Sequence, residues 1–134
     1  MMSGVSSHRH VVLVVDDDPD VLDVLTTSLA LGDVTAHAVT SGREALDLVT
    51  RGLEPCAIFL DVRMPGLDGW RVNEQLRMLP VVGDIPVVLI SAERPDRDRA
   101  ERAGIFTWLR KPVGIADLYV VLAQCCPARV PAPL

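Results

Sequence analysis

Six side chains stand out for the chemistry they could do together. Asp16, Asp17 and Asp18 follow the apolar run VVLVV at 11–15, and Asp61 follows AIFL at 57–60. Ser91 follows VVLI at 87–90, and Lys111 follows the run 105–109 and precedes Pro112. Lys111 is the only lysine among 13 basic residues. Two carboxylates ~4 Å apart repel by roughly 4 kcal/mol at an effective dielectric constant of about 20. Three acids beside one ammonium therefore stay net negative. A hard divalent cation relieves that repulsion, and oxygen-only ligands suit Mg²⁺ or Mn²⁺. The ammonium and the hydroxyl could hold further phosphoryl oxygens, and an aspartate at the focus can itself be the nucleophile, because carboxylates form acyl phosphates. Taken singly, each feature has a plainer explanation. An aspartate after a strand is often a helix cap, the preferred reading for Asp18; Ser91 alone reads as a loop hydroxyl, and Lys-Pro as a surface turn. The joint arrangement, one residue type per strand end, carries the argument.

That arrangement needs elements to bring it together. The continuous apolar runs suit strands buried on both faces, whereas Val34 to Val39 alternates and reads as an edge strand with one wetter face. Helical spacing lies between the runs. Leu22, Leu25 and Leu29 follow Pro19; Ala45, Leu46 and Val49 follow a capping Ser41; Val72, Leu76 and Leu79 follow Gly69; Leu118, Val121, Leu122 and Cys125 form the clearest stripe. Residues 96–103, DRDRAERA, are mostly charge, so a helix there is expected to be exposed and thinly packed. Strand and helix alternate about five times, which implies a doubly wound α/β domain with helices on both faces of a parallel sheet. In such a sheet the site lies at the carboxyl ends of the strands, where the six residues fall.

At 134 residues the chain is expected to be one domain over 10–126, with a flexible N-terminus at 1–9 and a Pro-rich, disordered tail at 127–134. No apolar run reaches the ~20 residues of a membrane span, and the N-terminus does not read as a signal peptide. The net charge of −5 argues against nucleic-acid binding through bulk charge. Three cysteines, Cys56, Cys125 and Cys126, form no disulfide framework by count and no zinc site by spacing. Cys56 reads as core, and the compartment as a reducing cytoplasm.

VVDDDPD, FLDVRMPGLDG, VLISA and LRKP, in this order, resemble the receiver domain of two-component response regulators, from about Val11 to Ala123. The resemblance implies a single (βα)5 flavodoxin-like (CheY-like) domain with strand order 2-1-3-4-5. It implies that Asp61 is the phosphoacceptor, supplied by a sensor histidine kinase or a histidine phosphotransfer protein. Asp16 and Asp17 match the acidic pair that binds Mg²⁺ (or Mn²⁺) with Asp61, and Arg63 matches the position whose backbone carbonyl completes the metal site. Ser91 matches the switch hydroxyl, and Lys111 the lysine that pairs with the phosphoryl group. The Lys111–Pro112 bond is similar to one usually cis in the family, and Gly66 and Gly69 fit a loop where positive φ is often needed. The implied output is a conformational change at the face of the fourth helix, fifth strand and fifth helix. It would be read by a downstream protein target, by onward phosphotransfer or by a domain outside this chain, with intrinsic autodephosphorylation resetting the signal. The domain is thus a phosphoacceptor rather than an enzyme. It is expected to be cytoplasmic, a monomer or weak homodimer, without direct nucleic-acid or membrane binding.

Two positions depart from the pattern. The switch aromatic, usually Tyr, Phe or His, is Trp108, and the fourth helical segment is a charge lattice in which Asp98 and Arg102 could pair within the helix. Arg63 lies two residues after Asp61 and Glu93 two after Ser91, so the two are expected to overhang the site and pair across its mouth. One alternative is a phosphorylation-independent, receiver-like interaction module. Another is a Mg²⁺-dependent phosphohydrolase of the haloacid dehalogenase type, which wants an acid where Arg63 stands and a substrate cap. A flavin site would place a ligand phosphate among aspartates.

Overall fold

A computed structural model describes residues 10–80 and 83–126; the expected flexible N-terminus and Pro-rich tail lie outside the described residues. Five strands alternate with five helices: β1 (His10–Val15), α1 (Pro19–Ala30), β2 (Val34–Val39), α2 (Gly42–Thr50), β3 (Ala57–Asp61), α3 (Gly69–Arg77), β4 (Val87–Ser91), α4 (Arg97–Arg102), β5 (Thr107–Arg110) and α5 (Ile115–Cys125). All strand pairs are parallel, in the order β2-β1-β3-β4-β5. This is the doubly wound arrangement expected from the sequence.

Successive strand residues face opposite sides of a sheet, so each apolar run feeds two cores. Val12 and Val14 point into a layer with Leu22, Leu25 and Leu29 of α1 and Leu118, Val121 and Leu122 of α5. Leu13 and Val15 point into the other, with Ala45 and Val49 of α2 and Val72 and Leu76 of α3. β2 is one of the two edge strands, with Thr35, His37 and Ala38 exposed. Helix starts follow local chemistry: Asp18, Ser41, Asp68 and Asp96 each accept a hydrogen bond from a backbone N–H of the first turn. Asp18 is therefore the cap expected of it. No helix among the described residues is long and apolar enough to cross a membrane.

Three details differ from expectation. The last strand begins at Thr107 rather than Ile105, because the backbone N–H groups of Gly104 and Ile105 are spent closing α4 on Glu101 and Ala100. That two-bond closure needs a residue at positive φ, and Gly104 supplies it at +73°. The Asp98–Arg102 pair does not form among the described residues; α4 buries no side chain, and Arg99 instead stacks its guanidinium 4.3 Å from the Trp70 ring centroid. Finally, Cys56 and Cys126 are joined by a disulfide, with Cα atoms 6.2 Å apart, leaving Cys125 free. Residue count could not reveal this pair, because its members are 70 residues apart and meet only when β3 and α5 pack into one layer.

Candidate functional site

The carboxyl ends of β1, β3, β4 and β5 form one wall of a cleft of about 310 Å³, lined among others by Asp17, Asp61, Arg63, Ser91, Glu93 and Lys111. Each residue is placed by the ladder itself. Asp16 follows β1, and its N–H donates to Val39 O; Asp61 ends β3, and the next N–H, of Val62, donates to Ile90 O. Ser91 ends β4, and Lys111, directly after β5, donates its backbone N–H to Ser91 O at 3.0 Å. The Lys111–Pro112 peptide is cis, as the resemblance implied.

Asp16 and Asp61 are buried, while Asp17 is exposed at the rim. One carboxylate oxygen from each of the three lies within 4.8 Å of the others. Lys111 Nζ bridges the two buried acids, 2.9 Å from Asp16 Oδ2 and 3.3 Å from Asp61 Oδ1. Asp16 Oδ1 also accepts from the Asp18 N–H at 2.9 Å, and Asp61 Oδ1 from the Arg63 N–H at 3.4 Å. Burial pushes the Asp61 carboxyl up to about 6, the Asp16 charge adds to the rise, and Lys111 and the Arg63 N–H only partly offset it. Burial alone would lower the Lys111 ammonium, but its hydrogen bond and charge pairing with Asp16, reinforced by Asp61, raise it, so it stays charged. The result is a wet acidic cleft with one fixed cation, whose convergent all-oxygen donor set fits a hard divalent ion.

The remaining expectations fall around this core. Ser91 is half-buried, and its Oγ accepts from the Glu93 N–H at 3.2 Å. Arg63 and Glu93 pair at 2.9 Å over the cleft, both side chains largely in solvent. Trp108 lies outside the cleft, level with Leu89 of β4 and half-buried against the α2–α3 layer, with Arg110 6.0 Å from its ring centroid. Gly66 has φ +77°, as expected, whereas Gly69 is needed for a different reason: a Cβ there would collide with the carbonyl oxygen of Asp61.

Two groups carried no sequence signal, one in the cleft and one at the opposite end of the sheet. Ala92 lines the cleft, and only its place beside Ser91 could have marked it. Arg77 closes α3 onto the surrounding loops, donating to Gly83 O at 2.6 Å and to Ile85 O and Gly104 O.

Known proteins agree with this geometry. Residues 12–123 match the family model described as the response regulator receiver domain. PrrA, a transcriptional regulatory protein of Mycobacterium tuberculosis, is 42% identical over 120 residues, covering 88% of this chain but 49% of PrrA. The chain thus spans about half the length of that relative. A 14.6 kDa protein of Leptolyngbya boryana is 35% identical over 90% of this chain and 92% of its own. The chemotaxis protein CheY4 of Vibrio cholerae superposes with a TM-score of 0.83 over 88% of this chain and 99% of that one; at 23% identity the likeness is one of fold. The receiver domain of the sensor histidine kinase PA1611 of Pseudomonas aeruginosa, solved with a magnesium ion in its active-site cleft, superposes with a TM-score of 0.78, at 25% identity over 87% of this chain and 97% of that one. Motif order, strand topology and the family match together place this chain in the response regulator receiver domain family.

Proposed function

We propose that Asp61 accepts a phosphoryl group from a phosphohistidine of a sensor histidine kinase or a histidine phosphotransfer protein, and that the domain signals through the resulting change in its surface. The observation that carries this reading is the Lys111 ammonium bridging Asp16 and Asp61 at the floor of an open acidic cleft. In the transfer, the N–P bond of the donor breaks and an O–P bond to Asp61 forms; the donor imidazole leaves with the electron pair. The Lys111 and Arg63 contacts to Asp61 both fall on Oδ1, which leaves Oδ2 as the attacking oxygen. Lys111 then swaps part of its interaction with the carboxylate for a phosphoryl oxygen, and Ser91 Oγ donates to another. These are positioning and charge-balancing roles, which suit a loose phosphoryl transition state.

Asp16, Asp17 and Asp61, with the backbone carbonyl of Arg63, would hold Mg²⁺ or Mn²⁺. When bound, the ion supplies the positive charge that lets phosphoryl oxygens approach three carboxylates. Water attack on the acyl phosphate resets the signal, and the Arg63–Glu93 pair slows it by covering the mouth. Ser91 and Trp108 relay the change to the face of α4, β5 and α5, where a downstream protein reads it. In this reading the domain is cytoplasmic and monomeric or weakly dimeric, and its net charge of −5 argues against direct nucleic-acid binding.

Intact-mass spectrometry after incubation with acetyl phosphate tests the reading. One phosphoryl adduct is expected with Mg²⁺, and none with EDTA or in Asp61→Asn. No adduct on the wild type with either acetyl phosphate or a phosphorylated histidine donor would turn the assignment to the phosphorylation-independent interaction module.

A further inference from the structure

All three cysteines gather at the end of the sheet opposite the acidic cleft. Cys56 precedes β3, and its N–H donates to Val11 O at 2.8 Å, so its backbone is fixed in the ladder. Cys126 caps α5, its N–H bonded to Leu122 O at 2.8 Å. Their Cα separation of 6.2 Å lies inside the range a disulfide spans without moving the backbone. Asp61 stands at the far end of the same strand as Cys56, about 16 Å away at the rise of a β-strand. The two sites are therefore chemically separate.

The three sulfurs are not equivalent. Cys126 is buried, whereas Cys56 is half-buried. Cys125 adjoins Cys126 in sequence, but neighbouring positions on a helix face different ways. Burial pushes its thiol up to about 11, leaving about one part in ten thousand as thiolate at neutral pH.

We propose that Cys56 and Cys126 are a reversible redox modification site, oxidised by low-molecular-weight disulfides and reduced by the corresponding thiols. In the forward direction the Cys56 thiolate attacks the external disulfide, forming a mixed disulfide and expelling one small thiol. Cys126, as thiolate, displaces the second small thiol and closes the Cys56–Cys126 bond. The protein loses two protons and two electrons, and the external disulfide becomes two thiols. Cys125 is a bystander.

The bond has a mechanical consequence. α5 begins just beyond Lys111 and ends at the cysteine pair, so one rigid element joins the two ends of the domain. Oxidised, the far end of α5 is pinned to the start of β3. Reduced, α5 is held by the packing of Leu118, Tyr119, Val121 and Leu122 and by the Tyr119 hydroxyl, which donates to Ser28 O of α1 at 2.7 Å, and its last turn loses its covalent tie. The redox state thus sets how freely α5 can shift, whatever its near end is doing. Nothing in this requires Asp61 to be phosphorylated.

The test uses the full chain treated with oxidised glutathione or with reduced glutathione at millimolar concentration. After removal of the reagent and denaturation, iodoacetamide labels free thiols for intact-mass analysis. Oxidised protein is expected to take one label, at Cys125, and to yield a Cys56–Cys126 linked peptide; reduced protein takes three. The oxidised form should melt at least about 5 °C higher, and amide exchange in the last turn of α5 should be slower. Cys125→Ser should keep the whole response, and Cys56→Ser should lose it. Three labels after oxidation, a link through Cys125, a persistent glutathione adduct, a bond that reduced glutathione cannot open in the folded protein, or identical melting of both forms would each overturn the proposal.

Discussion

Gly69 packs so closely against Asp61 that no side chain fits between them: a Cβ on Gly69 would strike the carbonyl oxygen of Asp61 and come within 2.9 Å of the Cα of Val62. The first turn of α3 is thereby seated on the main chain that carries the acceptor, with the Gly69 N–H donating to Val62 O at 2.9 Å. Gly69→Ala is expected to cost about 2 kcal/mol, since the obstructing atoms are backbone and cannot turn aside. Chemical denaturation should show a lower midpoint at unchanged m-value, and phosphorylation by acetyl phosphate should slow. A midpoint within error of wild type would show that α3 can back away from β3 freely.

The Arg63–Glu93 pair should matter to kinetics and not to stability. Both side chains are largely in solvent, so Glu93→Ala and Arg63→Ala should each change stability by less than about 1 kcal/mol. Loss of the cover should speed hydrolysis of the phosphorylated domain severalfold, followed by decay of the adduct in intact-mass spectra. An unchanged lifetime in Glu93→Ala would end the idea that the pair shields the site.

Asp61 should titrate near pH 6 without metal, displaced from its ordinary 3.8 by burial and by Asp16. A carboxyl raised in this direction binds its proton more tightly in the folded chain than in the unfolded one. The Asp61 contribution to metal-free stability should therefore fall as pH rises from about 4 to about 6 and level off above, a slope that Asp61→Asn should remove. Mg²⁺ competes with that proton, so the melting shift it causes should be larger at neutral pH than at pH 5. Carbon-detected NMR of the carboxyl, with Asp61→Asn to assign the resonance, reads the midpoint directly; titration near 4 would refute the burial argument.

Arg77 holds three carbonyls from two loops, of Gly83, Ile85 and Gly104. Arg77→Met preserves most of the aliphatic contact and removes the donors. It should lower stability by about 2 kcal/mol, because charged donors to partly buried carbonyls contribute more than neutral ones. A thermal or urea melt shows this, and Arg77→Lys should recover only part of the loss, lacking the planar fork.

The fold was largely legible because its signals are local. VVLVV, AIFL and VVLI read as strands since every residue in them is buried or nearly so, and Asp18 and Ser41 announced the starts of α1 and α2. The acidic cleft was legible because β1, β3, β4 and β5 each deliver a charged or hydroxyl side chain at their carboxyl ends. The Cys56–Cys126 bond was not, since it depends on where the end of α5 comes to rest against β3. Nor was the Trp70–Arg99 stack, which unites α3 with a helix whose sequence suggested only solvation. The late start of β5 was hidden for the same reason: Ile105 looks like a strand residue until Gly104 commits its N–H to the helix before it.

α4 is six residues long and buries none of them. A helix that short is not stable alone in water; this one is held at its ends, by the Asp96 cap and the turn at Gly104, and by a single stacked arginine. Its outward positions are consequently decoupled from the cores on which the rest of the chain depends. Substitutions along Arg97, Asp98, Glu101 and Arg102 can accumulate at little cost to folding, so this segment can be rewritten while the acidic cleft stays as it is.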